Sequence, residues 1–178
     1  MKTSNKNLLA ICLDCGDTLA NERTEVKNEN GVSLKADLIP GAAEMVRGIK
    51  QLGYPLALVA DGPTGTFQNI LTQHQLYNYF DVFAISEQVG VLKPDAKMFT
   101  TALDQLNIQK QDYHRVIMVG NNLERDIKGA NALGIISVFL SWSDKRTHIP
   151  ADETEIPKYT IQTPMELIPL IDKLESQI

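Results

Sequence analysis

Residues 8–19 of this chain read LLAICLDCGDTL. The first six form a continuous apolar run of the kind found in fully buried strands, and Gly16 bounds it. The acidic residue Asp14 follows the run directly. These residues predict a buried strand that carries a carboxylate at its carboxyl end.

Alternation of strands and helices continues along the chain. Four further apolar runs cover residues 56–60, 82–85, 116–119 and 135–140. Apolar residues at helical spacing predict helices over 42–52, 64–76, 95–106, 123–133 and 164–174, and residues 141–157 read as a polar loop. Five buried strands separated by helices are typical of an α/β fold with a doubly wound parallel sheet. We expect a single domain over residues 1–178.

Composition narrows the classes of partner. The formal net charge is −5, and the Lys and Arg residues are scattered among Asp and Glu, so we expect no nucleic-acid partner. The apolar run over residues 8–13 is too short for a signal-peptide core or a membrane span. We therefore expect a cytoplasmic protein without a membrane partner.

Cys12 and Cys15 form a Cys-x-x-Cys pattern, which occurs in redox and metal sites. Cys12 falls inside the predicted strand instead of at a helix start, and the chain has no second cysteine pair to complete a metal shell. We interpret both cysteines as small buried side chains.

Polar residues follow three of the predicted strands. Asp14 ends the first, Ala60-Asp61 ends the second, and Gly120-Asn121 ends the fourth. In doubly wound sheets, ligands bind outside the carboxyl ends of the strands. These residues are therefore expected to meet in one cleft.

Four segments carry a family resemblance over roughly residues 8–140. They are residues 13–19 (LDCGDTL), 59–62 (VADG), 93–95 (KPD) and 120–126 (GNNLERD). Together they resemble the four motifs of the haloacid dehalogenase superfamily of aspartate-nucleophile hydrolases. The resemblance implies that Asp14 is a nucleophile that forms a covalent intermediate, that Lys93 neutralises charge on the nucleophile and on the transferring group, and that Thr18 holds the loop.

The resemblance also implies a phosphatase site with bound Mg²⁺. The implied substrate-binding residues are Thr18, Ala60, Asp61, Gly62 and Lys93. The implied metal ligands are Asp14, the Gly16 carbonyl, Asn121 and Asp126, of which the last two are alternatives for one position.

Three positions depart from the family pattern. Gly16 stands where phosphatases of this kind have an Asp that acts as general acid and base, a contribution of about 10²- to 10⁴-fold in rate. Either Asp17 or Asp61 could replace that Asp, and we favour Asp61 as a catalytic residue because it ends the adjacent strand; loop hydrogen bonding is the alternative for both. Ala60 removes a phosphate-binding hydroxyl, and Asn121 removes one negative charge from the metal site, so both ligands should bind more weakly.

Neither gap between motifs is long enough for a full cap domain. Residues 21–38 are polar and are expected to form a flap hairpin or a mobile loop. An uncapped cleft favours a bulky phosphorylated substrate, a partner that closes it, or an oligomer edge. A small phosphorylated molecule is the alternative substrate.

Three functions are compatible with these motifs. The first is a Mg²⁺-dependent phosphatase that uses Asp14. The second is a binding or regulatory protein that kept the scaffold but lost efficient chemistry, because Gly16, Ala60 and Asn121 all depart from the pattern. The third is a dehalogenase, which uses the same nucleophile and lysine without the acid or the metal.

Overall fold

The computed structural model describes residues 6–177 and contains eight strands and six helices. The strands are β1 (Ala10–Leu13), β2 (Val26–Lys27), β3 (Ser33–Lys35), β4 (Leu56–Ala60), β5 (Val82–Ile85), β6 (Val116–Gly120), β7 (Ile136–Leu140) and β8 (Tyr159–Ile161). The helices are α1 (Ala42–Gln51), α2 (Thr64–Gln73), α3 (Ser86–Val89), α4 (Ala96–Gln105), α5 (Lys128–Ala132) and α6 (Leu167–Glu175).

A six-stranded parallel sheet lies at the centre, in the order β5-β4-β1-β6-β7-β8. Strand β1 lies between β4 and β6, with Leu13 opposite both Leu58 and Val119. The predicted doubly wound fold is confirmed.

Successive strand residues point to opposite faces of the sheet, and these strands carry apolar side chains on both faces. Helices cover both faces and bury those side chains. In β1, Ile11 and Leu13 pack in the core beneath α1, α2 and α6, whereas Ala10 and Cys12 pack on the face of α4 and α5. Asp95 caps the start of helix α4: its side chain accepts from Lys97 N at 2.8 Å and satisfies one free N–H of the first turn. Among residues 6–177, none of the helices has the length and apolar content that crossing a bilayer requires.

Several elements differ from the sequence prediction. The sixth strand, β8, and the short helix α3 were not predicted. The helix expected over 123–133 begins as a wide turn, Leu123–Ile127, with i to i+5 hydrogen bonding, before α5. The helix expected over 64–76 ends at Gln73, and a short helical turn over Tyr77–Tyr79 follows.

Residues 21–38 contain the antiparallel hairpin formed by β2 and β3, which confirms the flap-hairpin alternative. The hairpin is tied to α2: Ser33 N donates to Thr66 Oγ1 at 2.9 Å, and Asn69 Nδ2 donates to the Ser33 carbonyl at 3.0 Å. Further along, His74 Nε2 donates to the Ala36 carbonyl at 2.7 Å. The hairpin is therefore a docked wall beside the carboxyl ends of β1 and β4.

Candidate active site

Lys93 joins two carboxylates at the carboxyl end of the sheet. Its Nζ donates to Asp14 Oδ1 at 2.7 Å, to Asp126 Oδ1 at 2.6 Å and to the Val59 carbonyl at 2.9 Å. All three ammonium hydrogens are thus used, and the Lys93 side chain is only 2% exposed. Asp14 N donates to the Val119 carbonyl at 3.0 Å, so the carboxylate is placed directly by the sheet. Asp14, Lys93 and Asp126 therefore lie in contact, as expected from the motif segments.

Burial and charge act against each other at these groups. Burial raises the pKa of Asp14 to about 7; the Lys93 ammonium opposes this rise, and the Asp126 carboxylate adds to it. Burial alone would lower the pKa of Lys93, but Asp126, Asp14 and Asp61 together raise it well above its usual value. Lys93 is therefore a permanent cation at neutral pH.

Asp61 lies beside this group, but both of its carboxylate oxygens already have partners. Oδ1 accepts from Lys93 N at 3.0 Å, and Oδ2 accepts from Arg125 Nη1 at 3.2 Å. These contacts hold the Lys93 backbone and fix Arg125 at the cavity. They favour a positioning role for Asp61 over the proton transfer that the sequence suggested.

Asp17, the other suggested replacement for the missing acid, is fully buried. Its Oδ1 accepts from Glu22 N at 3.0 Å and its Oδ2 accepts from Ser143 Oγ at 3.1 Å. Its backbone φ is +47°, a conformation that Asp tolerates better than most residues other than glycine. Asp17 therefore fixes the loop, which was the alternative interpretation.

A cavity of about 250 Å³ opens beside Asp14. Of the predicted site residues, it is lined by Asp14, Gly16, Asp61, Gly62, Lys93, Asn121 and Asp126. The hairpin segment and α2 supply the opposite wall, and Arg125 and Arg146 add positive charge. Because the hairpin is docked against α2, this cavity is less open than the cleft expected from the sequence.

Two predicted substrate-binding side chains have no accessible surface. Thr18 and Ala60 are both fully buried, so neither side chain reaches a molecule in the cavity. Gly62 does line the cavity, but its N–H already donates to Ser86 Oγ at 2.9 Å. Direct contact with a substrate is thus assigned to other residues of the site. The Thr18 hydroxyl finds no hydrogen-bond partner among residues 6–177, and only the Thr18 N–H bonds within the loop, to the Cys15 carbonyl at 3.2 Å.

The donors expected to hold Mg²⁺ share the wall of this cavity. Asn121 is 4% exposed, and its side-chain Nδ2 is buried and finds no hydrogen-bond partner within the described residues. Asp126 uses Oδ1 for Lys93 and Oδ2 for Asn122 N, at 3.0 Å. Within residues 6–177, no cluster of three or more His, Cys, Asp or Glu side chains is arranged around a metal position. A cation at this position would be held by Asp14 together with amide and carbonyl oxygens. Oxygen atoms of these kinds are the ligands that a hard cation prefers.

Glu22 is a cavity residue that the sequence interpretation missed. A Cβ atom added to Gly16 would lie 2.9 Å from Glu22 Cδ and closer still to Oε1. The Glu22 carboxylate pairs with Lys145 and, at 3.6 Å, with Arg146. No local motif marks Glu22, since its place depends on how the polar segment after β1 folds.

Both cysteines are buried and free, as expected. Burial raises the pKa of the Cys12 thiol to about 12, so it is protonated and unreactive at neutral pH. Cys15 is also buried, and its pKa is raised by burial and by the Asp14 carboxylate.

Comparison with known proteins agrees with this geometry. The model of the haloacid dehalogenase-like hydrolase family matches residues 6–134. The chain belongs to this family. As in the sequence resemblance, the match includes all four motif segments.

Curated relatives of this haloacid dehalogenase-like hydrolase include phosphatases. A glyceraldehyde 3-phosphate phosphatase from Methanopyrus kandleri is 27% identical over 78% of this chain and 56% of its own length. The pyrimidine 5'-nucleotidase YjjG from Escherichia coli is 32% identical over 82% of this chain and 63% of its own length. The chain therefore spans about half to two thirds of the length of these two relatives.

Solved structures agree on the fold. A haloacid dehalogenase-family phosphatase from Thermococcus onnurineus superposes with a TM-score of 0.73, at 19% identity, over 92% of this chain and 98% of that one. A dehalogenase superposes with a TM-score of 0.75 at 18% identity, over 92% of this chain and 96% of that one. These likenesses concern the fold, and they do not distinguish a phosphatase from a dehalogenase.

Proposed function

We propose that this hydrolase is a phosphatase that cleaves small phosphoric monoesters through Asp14. The observation that carries the proposal is the placement of the Asp14 carboxylate, at the end of β1 and at the cavity wall, with Oδ1 held by the Lys93 ammonium. The named activities of the curated relatives, phosphatase and nucleotidase, support the same class of reaction.

The chemistry proposed for Asp14 is nucleophilic. Its carboxylate oxygen forms a bond to phosphorus while the ester oxygen departs, and water then breaks the resulting aspartyl phosphate. Lys93 remains charged throughout, so it offsets the negative charge that gathers on the nucleophile and on the phosphoryl oxygens. Val59 and Asp126 keep the ammonium in place, so little reorganisation is needed when the substrate binds.

We propose Mg²⁺ as the cofactor, held by Asp14, the Gly16 carbonyl and the Asn121 side-chain oxygen. Asn121 supports this assignment because it lines the cavity and its amide oxygen is a ligand that a hard cation accepts. Asp126 is the weaker candidate, since its oxygens already serve Lys93 and Asn122. When bound, the cation would stabilise charge on the phosphoryl group.

The size of the cavity favours a small substrate, and two arginines in its lining of mixed charge can contact an anion. A volume of about 250 Å³ suits a sugar phosphate or part of a nucleotide better than a macromolecule. Arg125, held by Asp61, and Arg146 supply positive charge at the cavity wall. Their side chains are 43% and 36% exposed, so they remain able to adjust to an anion.

The decisive experiment is a screen of phosphorylated metabolites and 4-nitrophenyl phosphate with added Mg²⁺, using Asp14→Asn as the blank. Turnover by the wild-type protein that is absent in Asp14→Asn supports the proposal. A folded wild-type protein that binds phosphorylated compounds without turnover would instead favour the regulatory alternative. Halide release from a 2-haloacid without metal would favour a dehalogenase.

A further inference from the structure

The carboxylate of Glu22 fills the volume that a side chain at Gly16 would occupy. A Cβ atom on Gly16 would lie 2.9 Å from Glu22 Cδ and 3.1 Å from its Cγ. The φ angle of Gly16 lies outside the left-handed region, so the backbone itself does not demand glycine. It is the Glu22 side chain that excludes a larger residue from position 16.

Glu22 also lines the cavity that contains the Asp14 carboxylate. Its side chain is 19% exposed, whereas Asp17 is fully buried and Asp61 has both oxygens engaged. Of these three carboxylates near the gap left by Gly16, only Glu22 lies at the matching position. Its ion-pair partners Lys145 and Arg146 are 42% and 36% exposed, so they can move aside, whereas Asp61 is held by the Lys93 backbone.

Contacts from two directions hold Glu22 in this position. Asp17 Oδ1 accepts from Glu22 N at 3.0 Å, and Asp17 is itself held by Ser143 Oγ. Lys145 and Arg146, which follow Ser143 in the sequence, pair with the Glu22 carboxylate. Asp17 therefore has a structural role, because its carboxylate anchors the residue that approaches Gly16.

We propose that Glu22 is the acid–base residue of the reaction, in place of the carboxylate that position 16 lacks. This inference rests on the proposed phosphatase function. In the first step, the bond from Asp14 to phosphorus forms, the ester P–O bond breaks, and the Glu22 carboxyl gives its proton to the departing oxygen. In the second step, the Glu22 carboxylate takes a proton from water, whose oxygen bonds to phosphorus as the P–O bond to Asp14 breaks. Glu22 ends protonated and Asp14 ends as a free carboxylate.

The first test compares Glu22→Gln with the wild-type protein on two substrates. Loss of a proton donor should lower turnover of an alkyl phosphate by about 10²- to 10⁴-fold. With 4-nitrophenyl phosphate, whose leaving group needs little protonation, a rapid burst of one equivalent of nitrophenolate should precede slow turnover, because only the water step is impaired. Glu29→Gln is the matched control: Glu29 is exposed in the turn between β2 and β3, and its loss should leave both rates within about twofold.

The second test moves the carboxylate back to position 16. Gly16→Asp alone should lose activity because its side chain collides with Glu22. The double variant Gly16→Asp, Glu22→Ala removes that collision and should turn over an alkyl phosphate at least tenfold faster than Glu22→Ala. Because both compared proteins lack the Glu22 ion pairs, this comparison separates proton transfer from structural support, and thermal melting checks that each variant folds.

The outcomes separate the two proposals. If the wild-type protein shows no Asp14-dependent turnover, the phosphatase function is wrong and this inference is wrong with it. If turnover depends on Asp14 but Glu22→Gln matches the wild-type rate on the alkyl phosphate, the phosphatase function stands and the role of Glu22 is wrong. Failure of the double variant to exceed Glu22→Ala also overturns that role.

Discussion

Lys93 Nζ lies 2.7 Å from Asp14 Oδ1, although the two residues are 79 positions apart in the sequence. The contact is shielded from water, since the two side chains are 2% and 13% exposed. Asp126 completes a buried group of two carboxylates and one ammonium. The stability of the site therefore depends on keeping that single cation.

Lys93→Met should be both inactive and unstable. The change leaves Asp14 and Asp126 buried without their cation, and breaking a buried pair in this way costs about 3–5 kcal/mol of unfolding free energy. Urea denaturation at pH 7 measures this loss of unfolding free energy. The double variant Lys93→Met, Asp126→Asn should recover part of the loss because one buried charge is gone. A Lys93→Met protein as stable as the wild type would contradict this account.

Asp61→Asn should reduce turnover by less than about tenfold. The Asn oxygen can still accept from Lys93 N, and only the ion pair with the partly exposed Arg125 is lost, which is worth about 0–1 kcal/mol. Asp61→Ala removes both contacts and should cost more. Steady-state kinetics on one phosphate ester checks the order, and a loss above about 100-fold in a folded Asp61→Asn protein would return the acid role to Asp61.

Removal of metal by EDTA should abolish turnover, and added Mg²⁺ should restore it. Asn121→Asp adds a negative charge to the proposed site and should lower the Mg²⁺ concentration for half-maximal activity by about tenfold, or ~1.4 kcal/mol. Titration of both proteins with Mg²⁺ gives the comparison. Full activity in EDTA, or no shift in the titration midpoint with Asn121→Asp, would contradict the assignment.

Glu175 is expected to stabilise the fold without affecting turnover. Its carboxylate accepts from Asn7 N at 2.8 Å, from Leu8 N at 2.9 Å and from Tyr54 OH at 2.5 Å, so it ties α6 to the segment before β1. Glu175→Ala should cost about 1–3 kcal/mol in unfolding free energy. Asp172→Ala, at an exposed position of the same helix, should change it little.

The contribution of Glu175 should also depend on pH. Burial alone would raise the pKa of its carboxyl, but the hydrogen bonds from Tyr54, Asn7 and Leu8 outweigh burial and hold the pKa below the usual 4.5. Since the folded pKa is the lower one, the stabilisation is fully present above pH 4.5 and declines as the pH falls through the folded value. Thermal melts between pH 3 and 7 should therefore converge for wild type and Glu175→Ala at the acid end. A gap that stays constant over this range would rule out the carboxylate as its source.

The sheet was predictable because its central strands are continuous apolar runs. Strand β8 was not, because Tyr159–Ile161 is only three residues long and lies between Pro157 and Pro164, where the sequence carries no run. The wide turn at Leu123–Ile127 has the same apolar spacing as an α-helix, so its hydrogen bonding could not be read from residue types.

The site was predictable where its residues lie in the four motif segments. Asp14 and Lys93 belong to two of these segments, and the fold brings them into contact. Glu22 could not be found in this way, because its relation to Gly16 arises from the loop conformation that Asp17 and Ser143 fix. The same contacts explain why Asp17, although next to the gap, is turned away from it.

The hairpin of β2 and β3 has a consequence for how the substrate range of the proposed phosphatase could be altered. In the part of the chain that the structure describes, its two strands pair with each other and with no further strand, and its connecting turn is exposed over residues 28–31. Residues inserted in this turn would extend the wall of the cavity that the hairpin forms. The six-stranded sheet and the contacts of Lys93 with Asp14 and Asp126 would stay unchanged. Variants in which this turn differs in length would test for new substrate selectivity while the residues around Asp14 stay unchanged.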